Sequence, residues 1–142
     1  MLDNIYALDL TRCDYINDVS MLGRLHTLNL LGCKNITDIS MLGRVHTLIL
    51  SCCYQITDVS MLGNVHTLFL DYCFNVSDVS MLGNVKILNL SCSNVEDVSM
   101  LGNVHTLNLS WCKKITDVSM LNNVRKLNIF QCVNIRKENN NH

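Results

Sequence analysis

Leu25-His-Thr-Leu-Asn-Leu-Leu-Gly-Cys-Lys-Asn-Ile-Thr-Asp-Ile-Ser-Met-Leu-Gly-Arg44 is one complete unit of a chain made almost entirely of its copies. Aligning Leu8, Leu28, Leu48, Leu68, Leu88, Leu107 and Leu127 gives intervals of 20 residues, broken once by an interval of 19. With Leu25 as position 1, apolar residues recur at positions 1, 4, 6, 9, 12, 15 and 18. Positions 3 to 6 alternate polar and apolar, as Thr27-Leu28-Asn29-Leu30 does, which is the period of a half-buried strand. Positions 12, 15 and 18 step by three, suiting an extended or 3₁₀ return. Too few residues remain for an ordinary α-helix. Each unit therefore reads as one short strand and a narrow return. Seven strands running one way make a parallel sheet, and no unit can bury its apolar side without neighbours.

A repeat turns every position into a ladder. Position 19 holds Gly23, Gly43, Gly63, Gly83 and Gly102, with Asp3 and Asn122 in the outer units. In a chain without proline, these residues predict a left-handed step before each strand. Position 9 is a cysteine column: Cys13, Cys33, Cys53, Cys73, Cys112 and Cys132. In-register cysteines about 4.8 Å apart suit neither disulfide geometry nor zinc spacing. They predict buried reduced thiols that satisfy loop backbone, with Cys52 as an edge thiol beside Cys53. Position 14 (Asp18, Asp38, Asp58, Asp78, Asp97 and Asp117) predicts caps for short 3₁₀ turns, not a calcium site. The seven methionines at position 17 are expected to pack on one another along the convex edge. The fifth unit lacks one residue after its strand, which should interrupt the cysteine column but spare the strand register.

The pattern LxxLxLxxCxxI, carried by Leu25, Leu28, Leu30, Cys33 and Ile36, resembles the leucine-rich repeat family in its cysteine-containing form. The run Cys33-Lys-Asn-Ile-Thr-Asp38 is similar to repeats of F-box substrate adaptors. The Ile-Thr-Asp-Val-Ser-x-Leu spacing resembles the short repeats of bacterial internalins, and such repeats also occur in large amoeba-infecting viruses. No F-box segment and no cysteine-rich flanking caps accompany the repeats. The resemblance implies a right-handed solenoid, α/β by family but essentially all-β here, with strands on the concave face and no long α-helices. Residues 1–135 would form the solenoid, with partial first and last repeats, and 136–142 a polar tail. Because Met1 falls inside a repeat and no cap follows Ile135, the terminal repeats are expected to be bare.

The resemblance implies a non-enzymatic module that recognises a protein partner on its concave face. Where the ladders break, that face acquires character: Ile49, Phe69, Asp71, Tyr72, Trp111 and Phe130, with Tyr54 and Phe74 nearby. Aromatic residues beside charges fit an interface centre. Position 2 adds Tyr6, His26, His46, His66, Lys86, His105 and Arg125. A metal site on these histidines is a third reading, disfavoured because parallel rings do not converge on a tetrahedral centre. The alternative function is self-assembly through the terminal repeats into a homo-oligomer. No phosphate loop, nucleophile elbow or isolated carboxylate pair is present, so no enzyme, catalytic residue, metal or cofactor is expected. A net charge of −1 argues against nucleic acid. Residues 113–142 do hold six of the eleven basic residues, which could steer an acidic partner or solubilise that end. No apolar run reaches the ~18–20 residues of a membrane span. With no signal peptide at Met1-Leu2-Asp3-Asn4 and with reduced cysteines, an intracellular, cytoplasmic setting is expected.

Overall fold

The alternating stretch of each repeat forms a three-residue strand, because Thr, Asn and their neighbours at positions 3 and 5 face outward while leucine 4 turns inward. In the computed structural model, which describes residues 5–136, these strands are β1 (Ala7–Asp9), β2 (Thr27–Asn29), β3 (Thr47–Ile49), β4 (Thr67–Phe69), β5 (Ile87–Asn89), β6 (Thr106–Asn108) and β7 (Lys126–Asn128). They pair in sequence order as one parallel seven-stranded sheet, with equivalent positions in register throughout. Six 3₁₀ turns, from Ser20–Leu22 to Ser119–Leu121, stack in a second row on the return side. Between the rows lies one continuous core. In the second coil Leu25, Leu28, Leu30, Cys33, Ile36, Ile39 and Leu42 are all 3% exposed or less, and the pattern repeats to Ile115. At about 1.5–3 kcal/mol per fully buried side chain, this layer holds each inner coil to its neighbours.

The glycine ladder works differently from the expectation. Gly23 has φ −66° and ψ −5°, and Gly43, Gly63, Gly83 and Gly102 are likewise right-handed. Glycine is required there by crowding between coils. A Cβ at Gly23 would lie 2.1 Å from the Met41 carbonyl oxygen of the next coil, and at the other four the gap would be 2.3–2.6 Å. Asn122 stands at the same position with the same right-handed backbone, in the last coil that has a 3₁₀ turn among the described residues. Asp3 and Met1 lie outside the described residues, as does the tail beyond Arg136.

The left-handed step falls at position 8, just past the strand. Arg12, Cys52, Tyr72, Cys92, Trp111 and Gln131 have φ between 57° and 65°, and Gly32 has φ 70°. Two hydrogen bonds impose it. The position 9 N–H donates back to the position 6 carbonyl (Cys33 to Leu30, 3.1 Å), closing a turn whose third residue has positive φ, as a type II turn requires. The position 8 N–H donates to the position 7 carbonyl of the next coil (Tyr72 to Ser91, 3.0 Å).

The cysteine column follows that turn. From the second coil on, each column Sγ donates to the position 6 carbonyl of the preceding coil: Cys33 to Leu10, Cys53 to Leu30, Cys73 to Leu50 and Cys112 to Leu90 at 3.1 Å, and Cys132 to Leu109 at 2.9 Å. Burial pushes the Cys33, Cys53, Cys73, Cys112 and Cys132 thiols up, those of Cys53 and Cys73 to about 12. In the short fifth coil Ser93 takes the column position, 3.4 Å from Cys112 Sγ, and Asn94 bonds the Phe74 carbonyl as Asn75 bonds that of Tyr54. The missing residue is therefore the one at position 10, and strand register is untouched.

Candidate functional site

The open face of the sheet is built by positions 3, 5 and 7 of each coil. Over most of its length it is polar and internally bonded. At position 5, the Oδ1 atoms of Asp9, Asn29, Asn89, Asn108 and Asn128 accept the N–H two residues on, at 2.9–3.0 Å. This is the local side-chain turn that Asx residues favour. Ile49 and Phe69 replace the Asx in coils three and four and stand side by side as register partners. Beside them Asp71 accepts from Ser51 Oγ at 2.6 Å and from Asn89 Nδ2 at 3.2 Å, both on the same Oδ1.

Tyr72 and Trp111 do not lie on the strands. They occupy the left-handed position 8, so they project from the rim at the strands' C-terminal end. There they form two aromatic groups. Tyr54 stacks on Phe74 (centroids 5.8 Å, 6°), and Tyr72 meets Phe74 edge-on at 6.2 Å. Trp111 meets Phe130 edge-on at 6.0 Å, with Lys113 Nζ 6.0 Å above the indole. All five rings are between 41% and 62% exposed, which is unusual for residues of their size. Between the groups sits the short coil, with the partly exposed Cys92. Its thiol raises the pKa of the Tyr72 hydroxyl, and Cys52 does the same to Tyr54. Tyr54 and Phe74 belong to this rim as fully as Tyr72. Position 10 gave no periodic signal for them; only the aromatic departures from the repeat did.

The histidines form a separate row at the N-terminal edge of the strands. Tyr6, His26, His46 and His66 stack face to face at 4.3–4.5 Å, with planes within 16° of parallel. Each histidine Nδ1, His105 included, lies 3.1–3.2 Å from the Oγ1 of the threonine that follows it. Lys86 continues the row, exposed, and is followed by Ile87 in place of threonine. Parallel rings tethered this way present their edges to solvent. Among the described residues no group of three His, Cys, Asp or Glu side chains is placed to hold a metal ion. The histidine row and the aromatic rim are thus distinct features on opposite edges of the sheet.

On the return side, each ladder aspartate accepts the N–H of the serine that opens the 3₁₀ turn, Asp58 from Ser60 at 2.9 Å for example. That bond is the main cause holding all six carboxyls below the usual carboxylate range. The methionine row lies outside the core. Met21, Met41, Met61, Met81, Met100 and Met120 are each 60–80% exposed, because leucine at position 18 takes the inward place. Among the described residues no helix is long and apolar enough to cross a membrane.

Residues 103–121 match the family model described as Leucine Rich repeat. No curated protein matches the chain in sequence. Among solved structures it is similar to internalin C2 of Listeria monocytogenes (23% identity, TM-score 0.65), covering 90% of this chain and 72% of that one. It is also similar to the internalin InlF of that organism (23%, TM-score 0.54; 90% of this chain, 55% of that). A third likeness is to the functional domain of InlJ, which is described as including a cysteine ladder (20%, TM-score 0.55; 84% of this chain, 33% of that). The fold is that of a leucine-rich repeat solenoid with cysteine-containing repeats.

Proposed function

We propose that this solenoid is a protein-interaction module, without catalytic activity, whose partner docks on the open face and its aromatic rim. The observation that carries this reading is local. Ile49 and Phe69 stand at position 5, where every other coil carries a hydrogen-bonding Asx, next to five half-exposed aromatic rings. A monomeric fold gains nothing from such exposure, whereas large amphipathic rings are what protein interfaces use at their energetic centre. Rigid display by stacked coils lowers the ordering cost of binding.

An affinity pull-down comparing wild type with Phe69→Ala and Tyr72→Ala tests it. Loss of one specific partner from both variants, with unchanged circular dichroism, is the expected result. Retention by both would sink it. A truncation at an interface centre is expected to cost about 2 kcal/mol or more in affinity.

Self-association is the second reading. It is favoured by the apolar surface on the outer coils: Ile5 40% exposed at one end, Ile129 37% and Val133 65% at the other. A second copy stacked end to end would cover them, and light scattering at micromolar concentration distinguishes dimer from monomer. A reducing, intracellular setting agrees with eight free cysteines, five of them buried. Titration of eight thiols in unfolded protein purified without reductant would support it.

A further inference from the structure

Three exposed positions on the return side are the same in all six coils that carry a 3₁₀ turn: Asp at 14, Ser at 16 and Met at 17. The turn accounts for the Asp–Ser pair, since each Asp accepts the N–H of its Ser. It accounts for neither the negative charge nor the methionine. Asn or Ser would accept the same N–H as well as Asp does, and leucine 18 already fills the core. Met41, Met61, Met81, Met100 and Met120 are each 60–62% exposed and stand one per coil. They make an unbroken apolar strip, not scattered single residues.

Beside the strip runs a line of unneutralised charge. Glu96 joins the six aspartates, and no Lys or Arg occurs at positions 13 to 18 of any of the six coils. Among the described residues none of these aspartates is in an ion pair. The one basic side chain that lowers a carboxyl of the row is Arg136, near Asp117. Asp78 and Asp38 both work to raise the carboxyl of Asp58, as like charges set close together do. Strip and charge share the same grooves. Asp58, Asp78 and Met81 line one between the third and fourth coils, and Asp97, Asp117 and Met120 line another between the fifth and sixth.

An apolar strip with a negative border restricts what can cover it. Anionic lipid and nucleic acid are repelled by the border, and a wholly apolar surface would desolvate carboxylates without pairing them. A segment that is apolar on one side and basic on its flank meets both demands. We propose that the return side is a second docking surface, and that its occupant is a basic amphipathic α-helix of a partner protein. The helix lies along the stack, with its apolar face on Met41, Met61, Met81 and Met100 and its Lys or Arg side chains against Asp58, Asp78 and Asp97. Spacing supports this occupant. Coils advance about 4.8 Å each, and one face of an α-helix returns about every 5.4 Å, so one apolar residue can meet each methionine. The row from Met21 to Met120 spans about 24 Å, or about 16 residues of helix. Flexible thioethers adapt to whichever side chains they meet. This surface lies across the core from the open face, so it goes beyond the reading above and leaves the open face free for its own partner.

The test uses the whole chain and a labelled peptide of about 18 residues, Leu on one helix face and Lys on the other. Controls are the same residues scrambled and the same pattern with Glu for Lys. Wild type should bind the patterned peptide at least about tenfold more tightly than either control, and the peptide should gain helical circular dichroism. The methionine methyl signals should shift by NMR, and Phe69→Ala should bind as wild type does. Asp58→Asn/Asp78→Asn/Asp97→Asn keeps an acceptor for each serine N–H, so it should fold. Losing three exposed ion pairs should weaken its binding about tenfold. Met61→Gln/Met81→Gln/Met100→Gln changes exposed sites only, so it should fold and lose about as much. Equal binding of either control, unmoved methionine signals or unchanged affinity in either triple variant overturns the proposal. Wild-type binding to vesicles of phosphatidylcholine and phosphatidylserine overturns it too. Loss of the peptide on Phe69→Ala would place it on the open face, which overturns this surface and leaves the first reading standing.

Discussion

Two positions in each repeat look like glycine positions, for different physical reasons. Position 19 demands a missing Cβ because the next coil's carbonyl fills that space, while position 8 demands a positive φ that five residue types besides glycine adopt here. The distinction has opposite consequences for mutation. Gly43→Ala would bring a Cβ within 2.3 Å of the Met61 oxygen. Forcing coils apart in a packed stack is expected to cost about 3 kcal/mol in urea unfolding, the upper end for overpacking. Asn122→Ala, where a Cβ is already accommodated, should change stability by less than about 0.5 kcal/mol. At position 8 the sign reverses. Gln131 is exposed and held at φ 61°, so Gln131→Gly should stabilise by about 1 kcal/mol, the lower end of the left-handed penalty. A destabilising Gln131→Gly would mean that the turn is not the source of strain.

At the scale of the element, the turn past each strand joins the architecture to its chemistry. One residue further on, the cysteine closes that turn and donates to the coil behind it. Because burial raises the Cys53 and Cys73 thiols to about 12, both stay protonated in the folded chain where an unfolded thiol would ionise. The folded state therefore holds more protons above the unfolded thiol value near 9. This contribution to stability is complete below that pH and is lost as pH rises from about 9 towards 12. Urea unfolding across that range should show the decline, and Cys53→Ser/Cys73→Ser should flatten it. Serine already serves at this position, as Ser93. A slope unchanged in the double variant would assign the decline to other groups.

The whole molecule is a one-dimensional stack, and its stability should be graded along its axis. The middle leucine of each inner strand is buried, but those of β1 and β7 are only partly so. Amide exchange should accordingly be slowest in β3 to β5 and faster by about one to two orders of magnitude in β1 and β7. Uniform protection would indicate that something covers the ends, a second copy above all. Of the two aromatic groups, Tyr54, Tyr72 and Phe74 follow β3 and β4 in the well-supported middle, whereas Trp111 and Phe130 follow β6 and β7 towards one end. A recognition surface belongs in the middle, because its geometry is then held by neighbours on both sides.

The twenty-residue period alone determined the strands, their parallel register, the buried positions and the cysteine column. Each of these is copied in every coil, and repetition averages away the ambiguity of any single segment. Ile49, Phe69 and Tyr72 were legible for the complementary reason: they break the copy. Tertiary structure decided what depends on contact between coils. The position 19 glycine looked like a turn residue because nothing in one repeat shows the carbonyl of the next pressing on it. The left-handed site is not legible in the sequence because only Gly32 marks it, while Arg12, Cys52, Tyr72, Cys92 and Trp111 are held there by hydrogen bonds that span two coils. A repeat sequence specifies its unit, and the distance between units decides which atoms of that unit are crowded, bonded or left open.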